Sequence, residues 1–293
     1  IGNSTVAGEV YVQGNFTSTS TTTNLLFQCN TTNLYQGVLD VRGSVYNYSS
    51  GINLANTNVI NIQDNGANSG KFKRFYLGGG IYNSANSGSL NLMDTNNDAN
   101  YQFVMNGLTT QYIATVNVTY KDLIIANEKA EVQMVNNLSN TQIKGNVRVL
   151  TKAILNVRSY NLDGITAFAN QIQLDSAGTL KIENEDGVPA QLVGGAFVLK
   201  SHPRGIVEYT TTSNLNVLKE VYDYPIVKLT GSGTKTLHSL ANINNVNLKV
   251  GEIDLAEGTF EFPDGKNLQL NSTYGKRLMT MRANTVLAVL GSI

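Results

Sequence analysis

Apolar residues along this chain recur at every second position, in short bursts. Val116/Val118, Leu123/Ile125, Val132/Met134, Val147/Val149, Leu155/Val157, Ile172/Leu174 and Leu180/Ile182 each straddle one residue. Val207/Tyr209, Leu215/Val217, Val227/Leu229, Ile253/Leu255, Phe260/Phe262 and Leu268/Leu270 do the same. A strand turns successive side chains to opposite faces, so each pair marks two inward positions of a very short strand. Asn, Gly, Asp, Ser and Thr fill the gaps, and these are the residues that make turns. The i, i+3, i+4, i+7 spacing of a helix is sustained nowhere. The pattern predicts an all-β chain.

The distance between bursts separates the all-β architectures. Toward the C-terminus, Leu248, Ile253/Leu255, Phe260/Phe262 and Leu268/Leu270 place three short strands in roughly 20–23 residues, the length of one solenoid coil. A right-handed parallel β-helix is therefore expected, with tandem β-sandwich repeats as the alternative. A looser repeat of about 100 residues overlies the coils. Tyr120-Lys121-Asp122-Leu123-Ile124-Ile125, then Ile143–Val149, is echoed by Tyr224–Leu229, then Ile243–Leu248. Residues 1–110 are more irregular and rich in Thr, Asn and Gly, whereas 111–293 carry the two loose copies. The pattern starts at Ile1 and stops at Ile293 in mid-repeat, so a piece of a longer chain is expected.

Composition narrows the function classes. The 293 residues hold 21 Lys+Arg and 21 Asp+Glu, a net charge of zero. Nucleic-acid binding needs a basic surplus, so no nucleic-acid partner is expected. Charged residues are 14 %, well below an ordinary soluble domain, while asparagines number 38. Solenoid stacking accounts for both. Like residues pile on like at about 4.8 Å, where equal charges repel and amides hydrogen-bond. No run approaches the ~18 apolar residues of a spanning helix, so no helical membrane insertion is expected. The single Cys29 excludes an internal disulfide framework and reads as a small hydrophobe.

One segment carries a resemblance. It runs through Gly205-Ile206-Val207-Glu208-Tyr209, Asp223-Tyr224-Pro225-Ile226-Val227-Lys228-Leu229 and Thr230-Gly231-Ser232-Gly233-Thr234-Lys235-Thr236-Leu237. Ile243–Leu248 and Glu257-Gly258-Thr259-Phe260-Glu261-Phe262 follow. Together they resemble a repeat of very large secreted surface proteins of Bacteroidetes, similar to adhesins exported by type IX secretion, including those tied to gliding. The likeness covers residues 205–262, with a degenerate copy over 120–182. Ile206, Pro225 and Lys228 depart from the repeat. The resemblance implies an extracellular, cell-surface protein. It also implies neighbouring segments of the same long chain as partners, and no catalytic residues, because the motif is structural.

Several constellations bear on chemistry. Asp94, Asn96, Asp98 and Asn100 stand at alternate positions and can aim four oxygens into one loop, as a hard Ca²⁺ ion requires. This is a candidate calcium loop, although an EF-hand would need Gly at Ala99 and Glu at Met105. Glu183-Asn184-Glu185-Asp186-Gly187 is the densest acidic group and reads as a solvated turn; the alternative, a polysaccharide-cleaving site, would need a basic partner such as Lys181 or Arg158, which the sequence does not place beside it. His202 and His238 lack ligand spacing and read as polar surface residues. Gly78-Gly79-Gly80 reads as a bulge or hairpin. Lys71–Tyr76 interleaves basic and aromatic residues as a strand with one wet face. Seven N-x-S/T sequons occur, at Asn3, Asn15, Asn30, Asn47, Asn117, Asn137 and Asn271. Asp175-Ser176-Ala177 is similar to the O-glycosylation tripeptide of Bacteroidetes, which makes Ser176 a candidate glycosylation site.

The function expected from these features is a non-catalytic structural and adhesive segment of a long extracellular filament, with surface glycans or other polymers as ligands and no cofactor beyond calcium. Coils touch only their neighbours, so length is readily added. The alternatives are a β-helix carbohydrate-active enzyme (polysaccharide lyase or hydrolase) and a trimeric phage tail-spike-like fibre.

Overall fold

The computed structural model describes residues 9–18, 26–29, 38–47, 60–64, 73–83, 90–92, 101–113, 118–120, 122–138, 143, 145–160, 170–183, 197–217, 223–237, 249–262, 273–274 and 277–290. Among the described residues there are strands, turns and bends and no α-helix, so no helix is long and apolar enough to cross a membrane. The strands pair in parallel. Parallel pairing requires the chain to travel round and return on the same side, and here it does so by winding. The chain is a parallel β-solenoid. Tandem sandwiches, which are built from antiparallel hairpins, are set aside. Two compact units divide it, Ile1–Arg148 and Val149–Ile293.

In the first unit, one sheet runs in the order Glu9–Val12, Val38–Val41, Lys73–Leu77, Tyr101–Met105, Asp122–Ile125. A second holds Phe16–Ser18, Val45–Asn47 and Ile81–Asn83, and a third holds Leu26–Cys29, Ile60–Asp64, Leu90–Leu92 and Val118–Tyr120. One strand from each sheet makes a coil. The register Glu9↔Val38↔Arg74↔Gln102↔Asp122 sets successive coils at 29, 36, 28 and 20 residues. Inward positions are apolar and closed: Val41, Leu77, Phe103, Leu123 and Ile125 are fully buried. Phe75 meets Phe103 edge-on with ring centroids 5.1 Å apart, and Phe103 lies 5.3 Å from Tyr120. Burial of each such side chain stabilises by about 1.5–3 kcal/mol.

Gly78–Gly80 makes neither a bulge nor a hairpin. It is a corner that carries the chain from Lys73–Leu77 into Ile81–Asn83, a strand of a different sheet. Glycine is needed because corners stack directly on corners. A Cβ on Gly78 would collide with the Arg42 carbonyl one coil below, and one on Gly79 would meet the Gly43 carbonyl at 2.7 Å. Main-chain bonds tie the stack, with Gly43 N donating to Gly14 O (3.1 Å) and Gly79 N to Gly43 O (2.8 Å).

In the second unit the long sheet runs Ile154–Arg158, Thr179–Ile182, Ile206–Thr210, Asp223–Thr230, Lys249–Leu255, Leu278–Met281. Leu215–Val217, Thr234–Leu237, Thr259–Phe262 and Val286–Val289 form its companion, and Asn170–Leu174 pairs with Phe197–Ser201. The register Ile206↔Ile226↔Glu252↔Leu278 gives coils of 20, 26 and 26 residues. Inward residues again alternate: Val207, Tyr209, Val227, Leu229, Ile253, Leu255 and Phe260 are buried.

Candidate functional site

The outward face of the second unit's long sheet carries a row of charges. Asn156, Lys181, Glu208, Lys228 and Asp254 are successive register partners, so the sign alternates from coil to coil. Lys228 Nζ lies 3.6 Å from Glu208 Oε1, which also accepts a 2.8 Å bond from Thr230 Oγ1. One residue along, Asp254 takes both arms of the Arg282 guanidinium, from Nε at 3.0 Å and Nη2 at 2.7 Å. That hydrogen-bonded carboxylate raises the Arg282 pKa above its ordinary value. Stacking does not exclude charge, as the sequence suggested; it excludes like charge. Lys228, a departure from the resembled repeat, answers Glu208 below it.

At one end of this row Glu183 and Arg158 are joined through their main chains. The Glu183 amide donates to the Arg158 carbonyl at 2.9 Å, and Asn156 Nδ2 donates to Glu183 Oε1 at 3.4 Å. Arg158 holds a left-handed φ of 57°, at an irregularity in the pairing of Ile154–Arg158 with Thr179–Ile182. The Asn156 carboxamide supports that turn by accepting from the Arg158 amide at 2.8 Å. The acids at 185 and 186 lie outside the described residues.

A second polar group sits inside the solenoid. Lys235 occupies an inward position, register partner of Leu215 and of Phe260, and is 0 % exposed. Its stem packs in the core while its ammonium turns to the corner. There Nζ donates to the carbonyls of Gly231, Gly233 (2.9 Å) and Thr211 (3.4 Å). Burial lowers the lysine's pKa, and Glu257 opposes that shift. Glu257 also accepts from the Gly231 amide at 2.8 Å. Gly231 and Gly258 have φ of +78° and +76°, which favour glycine, and a Cβ on Gly258 would stand 3.1 Å from the ammonium. One lysine thus ties its own corner to the preceding coil, and Glu257 of the following coil acts on it electrostatically.

The first unit fills its corner with amides. Gln111, 1 % exposed, donates from Nε2 to the carbonyls of Leu77 and Gly79, each at 2.8 Å. Its Oε1 accepts from the Gly107 amide at 2.7 Å and from Asn127 Nδ2 at 3.3 Å. Asn127 closes its own turn by accepting from the Lys129 and Ala130 amides. Asn15 Oδ1 likewise accepts from the Ser44 amide of the next coil at 2.9 Å, and Ser44 Oγ from the Gly80 amide at 3.0 Å.

The remaining sequence candidates fall as follows. Asp94, Asn96, Asp98 and Asn100 lie outside the described residues, as does His238. Among the described residues no group of three His, Cys, Asp or Glu side chains could hold a metal ion. Ser176 is half-buried in the turn Asp175–Gly178; its carbonyl accepts from the Lys152 amide, and the Ala177 amide donates to the Arg204 carbonyl of the next coil. His202 is exposed and holds its own turn, with Nδ1 accepting from the Arg204 amide at 3.1 Å. Cys29 ends the strand Leu26–Cys29. Neither a family model, nor a curated protein, nor a solved structure matches this chain.

Proposed function

We propose that this chain is a non-catalytic structural and adhesive segment of a long extracellular surface filament. The observation that carries the reading is how six charged groups of the second unit are used. Glu208, Lys228, Asp254, Arg282, Lys235 and Glu257 are each engaged with a neighbouring coil. A general acid or base has to face a substrate; these groups hold one coil to the next. The resemblance over 205–262 supports the same reading, since its motif residues Ile206–Thr210, Tyr224–Leu229, Gly231–Gly233 and Thr259–Phe262 are strand and corner positions. Incubation with polygalacturonate, alginate and heparin should yield no unsaturated product absorbing in the ultraviolet, and mass photometry should give a monomer. Product formation, or a stable trimer, would overturn this reading.

One observation favours a second reading, a polysaccharide lyase or hydrolase. Arg158, Lys181 and Glu183 stand near the ends of the paired strands Ile154–Arg158 and Thr179–Ile182, with the Glu183 main-chain amide bonded to the Arg158 carbonyl. Under that reading Arg158→Ala abolishes turnover of one of the three polymers above; under the filament reading there is no turnover to lose.

A further inference from the structure

The first unit's long sheet carries an outward row unlike the charged row of the second. Tyr11, Asp40 and Tyr76 are successive register partners. Val41, Phe75 and Leu77, at the alternate positions, face the core, so this row lies on the outer surface. Tyr11 is 61 % exposed. Asp40 is nearly closed off, its side chain 6 % exposed, and among the described residues its ion-pair partner is Arg42, whose Nη2 lies 2.7 Å from Oδ2. Oδ1 is buried and accepts no hydrogen bond. A buried carboxylate oxygen left without a donor is costly, and it calls for an explanation. The Arg42 side chain is 59 % exposed, so the paired guanidinium remains open to solvent with donors to spare.

We propose that Tyr11, Asp40, Arg42 and Tyr76 form a binding subsite for one neutral sugar residue of a polysaccharide. This rests on the adhesive reading above and names its ligand class. A sugar ring offers an apolar C–H face and a rim of hydroxyls. The exposed Tyr11 ring is the platform for the face. The carboxylate of Asp40 accepts from a hydroxyl, and Arg42 donates to its neighbour. The ion pair is neutral as a unit, so it offers no net charge with which to prefer a uronate over an uncharged sugar. Oδ1 is shielded without ligand, so binding requires the row to open. The sugar hydroxyl then satisfies the orphaned oxygen.

The test is titration calorimetry of the intact chain with cellohexaose, chitohexaose, mannohexaose and hexagalacturonate. The expected result is millimolar or tighter binding of at least one neutral hexasaccharide and no tighter binding of the uronate. Tyr11→Ala should weaken it about tenfold, the scale of one lost aromatic contact. Asp40→Asn should weaken it as much while leaving the melting temperature unchanged or higher, because the amide removes an unsatisfied charge. Tyr11→Phe, which keeps the ring, should retain most of the affinity and guards against a folding defect in the alanine variant. Failure of every neutral sugar to bind overturns the subsite, as does preference for the uronate. Neutral binding indifferent to Tyr11→Ala and Asp40→Asn also overturns it, yet leaves the adhesive reading standing. Cleavage of any hexasaccharide would instead overturn the adhesive reading itself.

Discussion

The two units meet the same difficulty with different chemistry. A solenoid corner turns its carbonyls toward the coil above, and those carbonyls need donors. In Ile1–Arg148 the donors are neutral. Gln111 donates to two carbonyls of another coil and Asn127 to the Thr109 carbonyl, while Asn15 and Ser44 accept from corner amides. In Val149–Ile293 the donor is an ammonium, Lys235, which reaches three carbonyls and is accompanied by the carboxylate of Glu257. The outer faces follow suit. Tyrosines flank a single carboxylate in the first, and charges of alternating sign climb the second. An amide corner is indifferent to pH and salt. A charged corner spans more backbone with one side chain but carries a desolvation cost and responds to both. Coil-to-coil specificity can therefore be written in either alphabet.

The comparison can be broken first at the glycines. Gly258→Val should destabilise by more than about 3 kcal/mol, because a branched residue is forced to positive φ and its Cβ sits 2.6 Å from the Gly231 carbonyl. Gly14→Ala, whose Cβ meets nothing within 4 Å, should stay within roughly 0.5 kcal/mol. Urea melts of both variants read the difference.

Next come the corner donors. Lys235→Ala should cost about 3 kcal/mol, through a cavity and three carbonyls left without their donor, and Gln111→Ala about 2 kcal/mol. Their pH dependence should differ. Because burial holds the folded-state pKa of Lys235 below its ordinary 10.5, the unfolded chain keeps a proton that the folded chain sheds between the two values. Stability therefore rises with pH through that window and gains nothing below it. Melts of wild type minus Lys235→Met at alkaline pH should show this rise; wild type minus Gln111→Leu should be flat.

The smallest effect belongs to the charge row. Lys228→Glu places three acids on successive coils and should cost about 1 kcal/mol at low salt, less at high salt. Adding Glu208→Lys should recover part of the loss, since the pair is then reversed rather than abolished.

Much of this was legible in the alternation. Pairs such as Val207/Tyr209 and Ile253/Leu255 are the buried inward positions, because a period of two survives whatever the coil length. Lys235 was harder. A lysine between threonines reads as a wet residue, although Lys235 and Leu237 straddle one position like the apolar pairs, and the preceding Gly231-Ser232-Gly233 is the turn that receives the ammonium. Gly78–Gly80 was misjudged because turn residues do not say which sheet the chain rejoins. The alternating row was hidden because coils of 20 and 26 residues leave no fixed spacing between Glu208, Lys228 and Asp254.

The most direct test of the account is amide hydrogen exchange at the second unit's corners. Gly233 and Val286 donate to carbonyls of the preceding coil, and Gly231 donates to Glu257. The account predicts that these amides exchange as slowly as those of Ile206–Thr210 and that Lys235→Met speeds all three together. Corner amides exchanging at loop rates in the unaltered protein would contradict it.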